Sequence, residues 1–456
     1  MKQIVTFAIL IVVTFTSYSQ SLGYQDLGIL FSESEHTGTA RFTAMSGAFG
    51  AIGGDISTIN VNPAGLAVYK NSMFSGTFNS RSATITTNYY GTTVNTQNQY
   101  FNIPQAGAVL VFNTYNDSDW SKVVVGFNYR IKKDFNTNFL AKGNSGAATF
   151  TTFPLDESST PTEYNIADEQ VFNNVYSGEL SEINVGISAV HQNKLYIGAA
   201  LNTYDLRFSQ RSTLTEFNSD EDGNELDVNL YQENITTGSG FSINAGFIYK
   251  LHSNFRFGLS YQTPTWFTEV LQDTNYDSDS DIDIGETSFF QGDQEYTEYN
   301  DWEYIAYKLK TPGKLTASAA ILFGKKGLIS FDYIKKNYQN INLSDGYFVD
   351  ENQFFQNNLK NTNSFNMGTE WRVGRMSVRG GYQYEESPYE NALETDNIKR
   401  YSFGGGYHFG NFKVDFSYSD YTVNSQYNFY SQFNGVNAAN LTTNTGIFTT
   451  TITLNL

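Results

Sequence analysis

Residues 122–133, KVVVGFNYRIKK, set Val123, Val125, Phe127, Tyr129 and Ile131 on one parity and Gly126, Asn128, Arg130 and Lys132 on the other. An extended strand turns successive side chains to opposite faces, so this segment presents one apolar and one polar side. The pattern returns in residues 182–190, 241–251, 255–261, 315–323, 365–373, 378–384, 401–409 and 412–418. A soluble sandwich also alternates, but two further features favour a membrane barrel. The apolar parity repeatedly ends in an aromatic, as at Trp371, Tyr382, Tyr407 and Tyr418, which matches the aromatic girdles at the two interfaces of a bilayer. Connections alternate between short and long, as periplasmic turns and extracellular loops do.

On this reading the chain is all-β, a 14-stranded antiparallel transmembrane β-barrel. Strand one takes 73–90, strand two 99–113, strand five 194–209, strand six 238–251 and the last strand 445–456, with tight connections at Gln192-Asn193, His252-Ser253, Gly374 and Gly410. An even count brings the C-terminus back to the periplasmic side. There Phe448, Ile452, Leu454 and Leu456 share one phase, which suits the barrel-assembly machinery as a partner for the last strand. A mean hydropathy of -0.39 excludes a helical membrane protein but not a barrel, whose lipid-facing and lumen-facing residues average out polar. Residues 1–19 read as a signal peptide: Lys2, an apolar run over 4–13, then Ser17-Tyr18-Ser19 before a mature start at Gln20. With no cysteine and no later run of about 18 apolar residues, the expected location is the bacterial outer membrane, as a monomer among outer-membrane lipid.

Fourteen strands enclose a lumen wider than their own side chains can fill, since about eight already suffice for that. The expected filling is residues 20–70, ahead of a barrel at 71–456. Within it, residues 45–70 read MSGAFGAIGGDISTINVNPAGLAVYK, nearly uncharged and without strand alternation. Its glycines permit tight turns and close backbone approach. Asp55 suits a helix cap, and Asn62-Pro63 forces an extended residue before a rigid bend.

Gly47-Ala48-Phe49-Gly50, Asp55 and Asn62-Pro63-Ala64, placed ahead of fourteen strands, resemble the N-terminal hatch of the FadL-type outer-membrane transporters of long-chain fatty acids and aromatic hydrocarbons, in particular their Bacteroidetes branch. Thr311-Pro312 resembles that family's usual interruption of the eighth strand. The resemblance implies facilitated diffusion of a hydrophobic small molecule, a gate in the hatch at Gly47, Gly50, Asp55, Asn62, Pro63 and Ala64, and sideways release beside a kinked strand. Pro104 cannot donate a ladder hydrogen bond. Together with Gly107 and Gly126 it marks where such an opening would lie, the other reading being an ordinary edge irregularity. The family's kink falls on strand three, where this chain offers Gly126.

Arg372 and Arg379, on the lumen parity, suit a bidentate grip on a ligand carboxylate, or pairing with Glu370 and Asp415 to satisfy a polar interior. Asp277, Asp279, Asp281 and Asp283 recur at every second position in an acidic stretch, a weak calcium candidate against the plainer reading of a solvated loop. His36, His191, His252 and His408 are too scattered for a catalytic triad or a zinc site, so no enzyme, no cofactor and no nucleic-acid partner is expected. Two rival readings remain, a general porin and a surface adhesin that uses its acidic loops.

Overall fold

The computed structural model of the protein describes residues 22–114, 119–154, 160–273, 285–299, 304–430, 433 and 435–456. Fourteen antiparallel strands form one closed barrel. They are β1 (Met73–Tyr89), β2 (Thr92–Asn113), β3 (Trp120–Asp134, resumed at Thr137–Gly143), β4 (Ile166–His191), β5 (Leu195–Ser219), β6 (Glu225–Lys250) and β7 (Phe255–Gln262, resumed at Trp266–Asp273). The second half comprises β8 (Tyr304–Lys310, resumed at Lys314–Phe323), β9 (Gly327–Asn337, resumed at Asn342–Ser344), β10 (Asn361–Val373), β11 (Met376–Glu385), β12 (Ile398–His408), β13 (Phe412–Tyr427) and β14 (Ala439–Asn455). Closure comes from β1, whose Met73 pairs with Val109 of β2 on one side and with Asn455 of β14 on the other. Backbone pairing thus runs from β14 through β1 into β2, as it should where each unpaired group in lipid would cost several kcal/mol.

The expected strands are present, but β5 and β6 run far past their expected ends. Residues 210–237, read as an outer loop, belong to these two strands except for the connection 220–224. The reason lies in a change of apolar phase. In β5 the odd residues Ile197 and Leu201 face outward and are exposed, while Asn202 points inward and is buried. Further along, Leu206, Phe208 and Leu214, all even, are the buried ones. The backbone keeps its alternation while the apolar side moves from the lipid to the interior, as it must once a strand leaves the bilayer. At 25 residues, or about 83 Å along the strand, β5 stands well clear of a membrane. Strand two likewise starts earlier than expected, at Thr92, after the two-residue connection Tyr90-Gly91. Asp277, Asp279, Asp281 and Asp283 lie outside the described residues.

Several short elements lie off the wall. Helix α1 (Tyr24–Ser32) sits in the outer half of the lumen, where Phe31 meets Phe135 and Phe208 at ring-centroid distances of 5.8 and 5.6 Å. It packs beside α3 (Val349–Asn358), which belongs to the connection between β9 and β10. The chain then descends to α2 (Ala40–Ala44), against β12–β14, and to two 3₁₀ helices, Ile56–Asn60 and Pro63–Val68, against β3–β6. Nearly every residue from Thr37 to Ala67 is buried.

Candidate functional site

The lower half of the lumen is closed by the turns and short helices of residues 39–68. Pro63 restricts Asn62 to an extended backbone, φ -147° and ψ 103°. From there the Asn62 side chain accepts from the Ala64 N–H at 3.2 Å, capping the second 3₁₀ helix. Its amide donates to the Gly50 carbonyl at 2.8 Å and to the Phe247 carbonyl of β6 at 2.9 Å. One buried side chain therefore joins the two arms of the segment to the wall. Ala64 is anchored in turn, its carbonyl accepting from Ser188 Oγ at 3.2 Å. The Gly50 N–H donates to Asp332 Oδ2 at 2.9 Å, and a Cβ at Gly50 would lie 2.0 Å from Ser318 Oγ. Gly47 turns the chain with φ +74°. Asp55 caps the first 3₁₀ helix through the Ser57 N–H at 3.1 Å and takes the Thr39 hydroxyl on both its oxygens.

The wall makes room for this segment in a way the sequence reading missed. Gly198 of β5 and Gly246 of β6 are ladder partners, and a Cβ on either would sit 2.5 Å from the Ala64 nitrogen or Asn62 Oδ1, respectively. Gly126 and Gly186 are likewise paired, their bare faces receiving Leu66 and Ile59. The available signal was glycine recurring on the lumen parity of consecutive strands. Gly126 thus lies in an unbroken ladder, as does Gly107, which faces Ile56.

At the end of the barrel that carries the short turns, Arg41 of α2 reaches Glu370 at 2.7 Å and the Gly54 carbonyl at 2.7 Å. Glu370 also holds Arg379 Nε at 2.8 Å and Arg372 Nε at 2.8 Å. The remaining Arg379 donors meet Asp415 at 2.8 Å and Ser377 at 2.7 Å. Arg379 is buried with its donors turned to protein, while Arg372 is half exposed at a cavity of about 380 Å³ that it shares with Arg375, His408 and Lys413.

A second cavity, about 350 Å³, lies above the packed segment and below the outer loops. Its upper wall is apolar: Ile85, Phe139, Tyr427 and Leu441. Its floor carries Glu35, Arg81, Asp134 and Arg400. Over it Phe172 and Phe429 stack at 4.6 Å. The roof is tied by the buried Glu216, which accepts from the Thr149 N–H at 3.0 Å, the Phe150 N–H at 3.2 Å and the Tyr430 hydroxyl.

The wall beside this cavity has a seam. The ladder between β2 and β3 runs from Asn113 opposite Lys122 to Gln105 opposite Arg130 and ends there, one residue short of Pro104. Above that point β2 continues with β1 alone among the described residues, and the resumed part of β3 pairs with β4. A bulge between Thr77 and Asn79 lies opposite Ile103 and Pro104, and strand three breaks at Phe135 and Asn136. Side chains stitch the seam: Asn102 Nδ2 donates to Asp134 Oδ2 at 2.8 Å, and Asn98 Nδ2 to the Asn138 carbonyl at 2.9 Å. A small hollow lined by Pro104, Asn102, Glu35, Arg81 and Asp134 lies behind it, and the last three of these also line the larger cavity. Among the described residues no group of three or more His, Cys, Asp or Glu could hold a metal ion.

The architecture is shared with solved structures. A Pseudomonas aeruginosa FadL homologue is similar over 92% of this chain and 99% of its own, with a TM-score of 0.58 and 13% identity. The Pseudomonas putida toluene transporter TodX and the Ralstonia pickettii toluene transporter TbuX are similar over the same 92% and 99%, with TM-scores of 0.51 and 0.52 and identities of 14% and 15%. At such identities the likeness is one of fold. No family model and no curated protein matches the sequence.

Proposed function

We propose, from a fold shared with hydrocarbon channels, that this chain carries hydrophobic small molecules across the outer membrane by facilitated diffusion. Residues 1–19 are the export signal, 20–70 the hatch and 71–456 the barrel. The hatch closes the straight path to the periplasm, and ligand leaves sideways between β2 and β3. The observation that carries this reading is that Glu35, Arg81 and Asp134 line both the apolar cavity and the hollow behind Pro104. A ligand in the cavity is therefore next to the place where the wall is joined by side chains in place of a ladder. Gly50, Asp55, Asn62 and Ala64 hold the hatch shut through the bonds described above, Gly47 and Pro63 shaping its turns. Arg379, bonded to Glu370 and Asp415, is an anchor of the hatch. The chain acts as a monomer, with β14 as the handle for the assembly machinery.

The test is transport by the purified protein in liposomes, beside ion conductance in a planar bilayer. The proposal expects uptake of a labelled fatty acid or aromatic hydrocarbon with little steady current. Steady current without such uptake would make the protein a porin. Neither uptake nor current would leave an adhesin or structural barrel.

A further inference from the structure

The chain carries 46 acidic and 28 basic residues, so a lysine or arginine placed without regard to charge would find a carboxylate close by. At the end of the barrel away from the short turns, surface lysines do: Lys142 pairs with Glu169 at 2.8 Å, Lys308 with Asp345 at 2.7 Å and Lys399 with Glu394 at 3.1 Å. The short-turn end is different. Lys250 of β6 stands directly opposite Arg256 of β7 in the ladder, a like-charge pair that costs stability. Lys122 of β3 feels the charges of both Lys250 and Lys70, the latter just ahead of β1. Lys194, whose carbonyl accepts from the Lys250 N–H at 2.9 Å, extends the row onto the β4–β5 turn. Lys325 and Lys326 follow on the β8–β9 turn and Arg375 on the β10–β11 turn, all of them exposed. None of these cations has an ion pair among the described residues. The acids of this end are already engaged, Glu370 and Asp415 by the hatch anchor and by Arg372 and Lys413, and Asp119 beside His191 at 3.9 Å.

We propose that this basic rim is a docking surface for an acidic segment of a soluble protein partner. Uncompensated like charges work against the folded barrel, and an oppositely charged partner both relieves that repulsion and is steered to the mouth by it. The side chains point into the mouth beneath the hatch and away from lipid. Lys122 donates to the Tyr69 carbonyl, Arg256 Nη1 to the Ile52 carbonyl at 2.9 Å, and Lys250 Nζ lies 4.6 Å from the ring of the buried Tyr196. Arg256 Nε, also buried, meets no acceptor and is free to take one from outside. That orientation disfavours lipid phosphates, and the spread of charge from the start of β1 to the β10–β11 turn calls for a partner with several carboxylates along one stretch of chain. Since the same lysine and arginine hold carbonyls of the hatch and of the residue that follows it, the partner docks directly under the hatch. The surface stands whether or not the barrel transports; in the orientation of the transport reading the partner is periplasmic.

The experiment is binding of fluorescent poly-L-glutamate to the full-length protein in nanodiscs, with poly-L-glutamine as the uncharged comparison. Despite its net charge of -18, the protein should bind polyglutamate and not polyglutamine, and the affinity should fall at least about tenfold between about 50 and about 300 mM NaCl. Reversing the exposed turn charges together, Lys194→Glu, Lys325→Glu, Lys326→Glu and Arg375→Glu, should weaken binding by at least about tenfold. The matched reversal at the other end, Lys142→Glu, Lys308→Glu and Lys399→Glu, should leave it unchanged. No binding by the wild type, or equal loss from both sets of reversals, overturns the proposal. Zero-length carbodiimide crosslinking of bound polyglutamate to the wild type needs no variant and decides the matter should the reversed rim fail to fold. Crosslinks should fall on Lys122, Lys194, Lys250, Lys325 and Lys326, and crosslinks scattered over both ends would contradict the assignment. The lipid composition is the last arm. Binding should be equal in phosphatidylcholine and phosphatidylglycerol discs, and its loss in phosphatidylglycerol alone would give the rim to lipid headgroups and overturn the protein partner.

Discussion

The Asn62 amide donates to the Gly50 carbonyl at 2.8 Å, across twelve residues of chain. It ties the Asn-Pro-Ala bend to the Gly-Ala-Phe-Gly turn, two sequence features that had nothing but proximity to connect them. The same NH₂ group reaches the Phe247 carbonyl of the wall, so the hatch is closed upon itself and against β6 by one residue. Asn62→Ala deletes a cap and strands two buried carbonyls. Its expected cost is about 3 kcal/mol of hatch stability. Amide hydrogen exchange across 50–68 should accelerate while the strand amides stay protected. Unchanged protection would remove Asn62 from the gate.

The glycine wall makes a sharper steric claim. In Gly198→Ala the new methyl would meet backbone atoms, the Ala64 nitrogen at 2.5 Å and the Pro63 carbonyl carbon at 2.6 Å, and backbone cannot turn aside as a side chain can. A destabilisation of about 1–3 kcal/mol follows, read as a rise in ion conductance as the hatch is pushed off the wall. Gly76, with no atom within 4 Å of its would-be Cβ, is the control, and Gly76→Ala should move neither quantity.

Glu370 is the hub of the hatch anchor, holding Arg41, Arg372 and Arg379 at once. Glu370→Gln leaves buried guanidinium groups uncompensated, for which about 3–5 kcal/mol is expected. Limited proteolysis from the periplasmic side should then cut within 39–55, where the wild type resists. Equal resistance would show that the cluster does not hold the segment in place.

His36 supplies a pH dependence. Burial lowers its pKa from 6.5 to about 4, opposed by the Glu385 carboxylate 3.7 Å from Nε2, and Gln383, Lys336 and Arg400 also face it or act on its charge. The unfolded segment takes up its proton near pH 6.5 and the folded one near pH 4. Stability is therefore complete above pH 6.5 and is lost as the pH falls toward 4, by about 2 kcal/mol at pH 5. Hydrogen exchange across 33–39, corrected for its intrinsic pH dependence, should show this weakening in the wild type and not in His36→Gln.

What could be read in advance followed lipid contact. Strands such as β10 and β13 were legible because a bilayer demands an apolar outer face, and Phe365, Met367 and Phe416 obey it. The outer halves of β5 and β6 were not, because Leu206, Phe208 and Leu230 are apolar on the opposite parity and break the pattern without breaking the strand. The Asn-Pro-Ala bend and the Asp55 cap were legible as local chemistry, since proline and capping residues act within a few positions. The seam was half legible: Pro104 marked the end of the β2–β3 ladder, but the break at Phe135 and Asn136 carries no proline or glycine of its own.

Sideways release can be tested by fastening the seam. The chain has no cysteine, so Asn102→Cys with Asp134→Cys places two unique thiols where side chains now meet at 2.8 Å. A short reducible crosslinker would join β2 to β3, and uptake of a labelled fatty acid would be followed before and after reduction. The account expects uptake to stop in the linked barrel and to return on reduction, while the crosslinker changes nothing in either single cysteine variant. Undiminished uptake through the linked seam would contradict it.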